Sequence, residues 1–191
     1  MSTTTPGRFA LSYAARQGDD GRKHLKVFGI AGFSGSGKTT LIEKLIPEIR
    51  SRGLSVSVIK HAHHGFDLDR PGKDSWRHRE AGAEEVLMLS GDRWVLMHEL
   101  RGAPEPSIDE QLRILSPVDL VLIEGFKAAP VPKIEVHRPA NGKSPLWPEN
   151  PHVVAVATDA AVDTPLPTLD LNDPVAVVQF ILDYDLQVFK P

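Results

Sequence analysis

Residues 32–39 read Gly-Phe-Ser-Gly-Ser-Gly-Lys-Thr, which is the G-x-x-x-x-G-K-[ST] spacing of a phosphate-binding loop. The chemistry of such a loop is electrostatic. Gly32, Gly35 and Gly37 allow a tight turn, so that main-chain N–H groups, those of Ser34 and Ser36 among them, aim at phosphate oxygens. Lys38 is expected to reach the β- and γ-phosphates, and the Thr39 hydroxyl to ligate Mg²⁺. Lys26–Ala31 reads as a short buried strand before the loop, and Thr40–Arg52 as a helix directly after it. That order places the positive end of the helix under the phosphates, with Thr40 in its first turn. A Gly-rich turn that matches by chance is the plain alternative, and the strand–loop–helix context argues against it.

Three further groups carry chemistry. Glu124 ends the apolar run Asp119–Ile123, and in open α/β sheets ligands gather at the carboxyl ends of strands. A carboxylate there can hold Mg²⁺ opposite Thr39; a solvated strand-end acid is the other reading. Asp119 would lie at the far end of that strand, roughly 16 Å away at about 3.3 Å per residue, too far to share the metal. Gly125 would let the backbone approach a γ-phosphate, with Lys127 facing the same space.

The segment Lys60–Ser75 follows the second strand and holds His61, His63, His64, Asp67 and Asp69. Imidazole and carboxylate suit Zn²⁺ or Ni²⁺, yet the H-x-H-H spacing matches no structural zinc pattern. A polar loop touching phosphate, Mg²⁺ or the attacking group is the alternative, with Asp67 and Asp69 as candidate general bases or water-positioning groups. A solvated loop remains open. Finally, Thr158-Asp159 ends the strand Val153–Thr158. An Asp there can accept from N1–H and N2–H₂ of guanine as a charge-assisted pair, which adenine does not offer. The Asn-Lys-x-Asp base motif of GTPases is not present. Trp76–Glu80 reads as an exposed helix face or a basic contact surface, with Arg77 and Arg79 on different faces.

These groups need elements to position them. Strands are predicted at Ser55–Lys60, Glu85–Leu89, Arg93–His98, Val118–Ile123, Lys133–His137 and Val153–Thr158. Glu85–Leu89 and Arg93–His98 form a hairpin excursion across Gly91-Asp92. Helices are predicted at Asp74–Ala81, with Asp74 as N-cap and Gly82 as stop, and from Ser107 to about Leu115, opened by a capping box. A last helix starts at Asp173-Pro174. Pro139–Pro151 reads as a surface excursion. Strands alternating with helices imply an α/β fold, a mostly parallel sheet with helices on both faces.

At 191 residues the chain fits a single domain over 24–191, preceded by an N-terminal extension at 1–23 expected to be mobile. The net charge of −3 argues against a general nucleic-acid binder. The absence of cysteine excludes disulfides and thiolate metal sites. No apolar run approaches the roughly 18 residues that span a bilayer, and residues 1–21 lack a signal-peptide core. The expected setting is the cytoplasm, without membrane or nucleic-acid partners.

Taken together, the residues resemble the molybdopterin-guanine dinucleotide biosynthesis adaptor (MobB) family. The resemblance rests on Gly32–Thr39 with Thr40-Leu41; on Lys60-His61, His63-His64, Phe66-Asp67, Asp69, Pro71–Ser75 and Arg77; and on Ala81–Ala83, Ile123–Lys127 and Lys133–Glu135. It covers about Lys26 to the C-terminus. It implies a homodimeric P-loop NTPase-like protein that binds GTP with Mg²⁺ and hydrolyses it feebly. It further implies work alongside a MobA-type guanylyltransferase, which transfers GMP onto molybdenum-bound molybdopterin, and a MoeA-type molybdenum-insertion enzyme. The His-rich string is then placed near the nucleotide or the dimer interface, receiving cofactor phosphate. Two other classes stay open on the residues: a small-molecule kinase using ATP with Asp67 or Asp69 as base, and a His-loop metallochaperone GTPase.

Overall fold

The computed structural model describes residues 26–62 and 65–185. The expectations for residues 1–23 and for His63 and His64 lie outside the described residues. Contacts group the chain into two compact units, one running through His61 and resuming at Leu115, the other spanning Ala62–Ile114.

The first unit is built on six strands, β1 (Lys26–Ala31), β2 (Val56–Lys60), β5 (Leu120–Glu124), β6 (Lys133–His137), β7 (Val153–Thr158) and β8 (Thr168–Asp170), in the order β2-β5-β1-β6-β7-β8. All neighbouring pairs are parallel. Strands covered on both faces should be continuously apolar. β5 obeys this completely, with Leu120 to Ile123 at most 1% exposed. β8 is three residues long and escaped the sequence reading, since so short a run carries no periodic signal.

Alternate strand residues point to opposite faces. One face presents Phe28, Ile30, Leu120, Leu122, Ile134, Val136, Ala155 and Ala157. It packs against helix α1 (Lys38–Ser51), which buries Leu41, Ile42, Leu45 and Ile49 at helical spacing. It also packs against α4 (Pro174–Asp183), which buries Val177, Val178 and Ile181. α4 starts at Asp173-Pro174 as predicted, and Asp173 caps it by accepting from Ala176 N–H at 3.0 Å. Pro47 is tolerated inside α1 because it lies on the exposed side.

The opposite face carries polar side chains on β6. Lys133, Glu135 and His137 are all buried, and the first two meet loop backbone there. Lys133 Nζ donates to the carbonyl oxygens of Lys127 (2.8 Å) and Ala129 (2.6 Å), and weakly to Phe126 (3.3 Å). Glu135 accepts from the N–H groups of Leu146 and Trp147. These side chains pair loop backbone groups that no ladder satisfies. The Pro139–Pro151 excursion is thus tied to the sheet through Glu135.

In the second unit, β3 (Glu85–Leu89) and β4 (Trp94–His98) form the predicted antiparallel hairpin. α3 (Ile108–Ile114) opens with the predicted capping box, in which Ser107 N–H and Oγ both donate to Glu110. α2 (Asp74–Glu80) starts one residue earlier than expected, with Lys73 as its N-cap. Asp74 is therefore a first-turn acid complementing the helix dipole, not the cap.

Candidate nucleotide site

The phosphate loop connects β1 to α1 in the middle of the parallel sheet. Gly32 has φ 142° and no room for a side chain, since a Cβ there would lie 2.5 Å from the Val136 carbonyl oxygen. Gly37 precedes α1 in a left-handed conformation (φ 99°). Ser34 and Gly35 are exposed at the tip and Thr40 is exposed on the first turn. Ser36 is 2% exposed, and its buried Oγ has no hydrogen-bond partner among the described residues. An orphaned hydroxyl inside a glycine-lined loop fits a site completed by ligand oxygens.

Lys38 Nζ folds back to the Phe33 carbonyl at 2.8 Å, inside the loop. Burial lowers its pKa first; Glu124 works against that, while Lys127 and Lys60 push it further down. Lys127 Nζ sits 3.9 Å from the centre of the Phe33 ring. Lys60 ends β2 beside Glu124 in register and lies 3.7 Å from its carboxylate. Lys60 and Lys127 both act on Lys38 and a single carboxylate, Glu124, opposes them, which leaves an excess of positive charge suited to a polyphosphate.

Glu124 is 7% exposed and accepts from Thr39 Oγ1 at 2.7 Å. The structure thus brings together the two groups that the sequence assigns to Mg²⁺. A hydroxyl and a buried carboxylate side by side are the hard oxygen donors that would suit Mg²⁺. Asp119, set aside for this metal on distance, accepts instead from Ser55 N–H and Oγ at the opposite edge. Gly125 continues from Glu124 at φ 84°, and a Cβ there would lie 3.2 Å from the His61 carbonyl oxygen.

On the other side of the loop, Thr158 and Asp159 end β7 next to β8. A shallow depression of about 550 Å³, largely open to solvent, lies there, lined among others by Thr158, Asp159, Asp170 and Asn172. Its size suits a nucleoside. Asp159 is paired with Arg138, whose Nη1 donates to Oδ2 at 2.6 Å. The sequence reading missed Arg138. It directly follows β6, and only the β1-β6-β7 strand order brings it between loop and depression.

Asp67 and Asp69 belong to the second unit. Asp69 accepts from Arg70 N–H and Ser75 Oγ and lies 3.5 Å from Arg79 Nε. Asp67 accepts from Asp69 N–H and, at 3.4 Å, from Arg79. Arg79 also donates to Glu99 at 2.9 Å, so it is an internal tie and not part of a solvated basic face. Among the described residues, no group of three or more His, Asp or Glu is arranged to hold a metal ion.

A parallel sheet with a phosphate loop after β1, an acid ending β5 and a helix rising from the loop defines the P-loop NTPase-like class. The family model described as MobB, molybdopterin guanine dinucleotide synthesis protein B, matches residues 27–159. The chain belongs to this family. It is 46% identical over 160 residues to a molybdopterin-guanine dinucleotide biosynthesis adapter protein of Haemophilus influenzae, covering 82% of this chain and 88% of the relative. The Escherichia coli protein of the same description is 38% identical, covering 86% of this chain and 95% of that one. A crystal structure of molybdopterin-guanine biosynthesis protein B superposes with a TM-score of 0.65 at 29% identity, over 82% of this chain and 97% of the other.

Proposed function

We propose that the protein is a GTP-binding adapter with weak GTPase activity, acting in molybdopterin-guanine dinucleotide biosynthesis. The observation that carries this reading is the Thr39–Glu124 hydrogen bond at the end of a complete phosphate loop, with Lys38 folded into that loop. Family membership supplies the biosynthetic context. Lys38 and the loop amides would neutralise β- and γ-phosphate charge. Thr39 and Glu124 would hold Mg²⁺, which when bound screens the same oxygens. The depression beside β7 would take the nucleoside, with Asp159 reading guanine. The sequence offers no evident glutamine to orient water, and such sites turn over slowly without a stimulating group.

The same reading assigns a homodimer in the cytoplasm, a MobA-type guanylyltransferase and a MoeA-type insertion enzyme as partners, and molybdopterin as the cofactor precursor served. Among the described residues no helix is long and apolar enough to cross a membrane. Calorimetric titration of the full chain with GTP and ATP, each with and without Mg²⁺, tests the proposal. Mg²⁺-dependent binding with preference for GTP is expected. Preference for ATP with acceptor-dependent ADP release would establish a small-molecule kinase instead. Sub-micromolar Ni²⁺ or Zn²⁺ binding dependent on His63 and His64 would favour a metallochaperone.

A further inference from the structure

We propose that Arg138 sets the base selectivity of this site by holding Asp159 in one orientation against the phosphate loop. This rests on the guanine reading above and adds to it a residue that touches neither the base nor the phosphates.

One guanidinium makes two ties. Its Nε donates to the Ser36 carbonyl oxygen at 3.0 Å, and its Nη1 donates to Asp159 Oδ2 at 2.6 Å. The guanidinium lies beside Gly37, where a Cβ would be 3.5 Å from Nε and Nη2. Arginine is suited to this because its donors are fixed in a planar fork and its charge is permanent. A lysine offers a point charge and cannot span both acceptors.

The side chains are 36% and 30% exposed, and an ion pair that open to water contributes little to folding. Its consequence is positional. An isolated carboxylate at a strand end turns freely about its last bond. With Oδ2 held, the carboxylate keeps lone pairs on Oδ1, and one more on Oδ2, at fixed positions beside the depression. Those are the acceptors that a guanine N1–H and N2–H₂ require, and their alignment decides how much a mismatched base loses. Because the same guanidinium grips the Ser36 carbonyl, the base reader is registered to the loop that holds the phosphates.

The test is calorimetry on the full chain with GTP, ATP, inosine triphosphate and tripolyphosphate, all with Mg²⁺. Wild type, Arg138→Ala, Arg138→Lys, Asp159→Asn and the two double variants that add Arg138→Ala or Arg138→Lys to Asp159→Asn are compared. Arg138→Ala should lower the GTP-to-ATP affinity ratio by about tenfold or more, the scale set by a misaligned polar recognition group. Tripolyphosphate should lose much less affinity than GTP, since Arg138 reaches the loop only through the Ser36 carbonyl oxygen. Arg138→Lys should fail to restore the ratio. Adding Arg138→Ala to Asp159→Asn should cost no further selectivity, as expected when one residue acts only through the other.

An unchanged ratio in Arg138→Ala overturns the inference. So does a uniform loss across all four ligands, which would make Arg138 a phosphate contact. A rise in GTP affinity would make the pair a plug that competes with the base, and also overturns it. Should Arg138→Ala fold poorly, the Arg138→Lys ratio and the Arg138→Lys, Asp159→Asn double variant decide alone. If wild type itself shows no preference for GTP over ATP, the guanine reading fails, and that result is distinct from each of these.

Discussion

Lys133 is 0% exposed, and burial lowers its pKa from 10.5 to about 8. The unfolded chain keeps this proton up to about pH 10.5, so between pH 8 and 10.5 it binds more protons than the folded one. Stability from this group must therefore rise with pH across that window. The urea midpoint of wild type, measured relative to Lys133→Met, should climb from pH 7.5 to 10, by at most about 3 kcal/mol in free energy. A flat or falling difference would show that the folded amine holds its proton as firmly as the unfolded chain does, so that burial does not lower its pKa. Lys38 is the other lysine displaced downward by burial, and its work is at the ligand. Lys38→Ala should weaken GTP binding by roughly 2–4 kcal/mol, since phosphate charge loses a charged donor. Affinity equal to wild type would remove that lysine from the site.

At the scale of elements, β1 and β6 approach so closely that Gly29 leaves no space for a side chain. A Cβ there would lie 2.7 Å from Lys133 Cβ, which is anchored and cannot withdraw. Gly29→Ala should cost about 1–3 kcal/mol of stability through overpacking, read as a lower urea midpoint at unchanged slope. A neutral result would mean that the two strands separate easily. No sequence pattern announces this contact, because it joins positions 29 and 133 across a parallel pair. The same limit hid Arg138. What the sequence does spell out is local: the Gly32–Thr39 spacing, the Ser107–Glu110 box, the helix start at Asp173-Pro174 and the apolar run ending at Glu124. Each of these depends on neighbours within a few residues or on simple alternation. Asp74 was misplaced as a cap because Asp serves both as N-cap and as first-turn residue, and helix boundaries shift by a residue on such choices. The pairing of Asp159 with Arg138 depends on strand order, which composition does not encode.

At the scale of the whole molecule, the hairpin in the second unit presents a surface that a lone chain has no reason to keep. Leu87 pairs with Leu96 and Leu89 with Trp94 across the two strands. All four lie on one face and are 41–71% exposed. A two-stranded ribbon is marginal in water unless something covers its apolar face. The same residues on a second copy would form a self-matching patch, and a twofold axis needs nothing more. The Glu85–His98 hydrogen bond at 2.8 Å closes one end of the strip with a polar pair. If the proposed homodimer uses this face, sedimentation velocity at micromolar concentration should give a dimer for wild type. The double variant Leu89→Ser, Trp94→Ser should give a monomer that still binds GTP with Mg²⁺, because the phosphate loop lies in the other unit. A wild-type monomer would remove the dimer from the proposal, and a variant that stays dimeric would move the interface elsewhere.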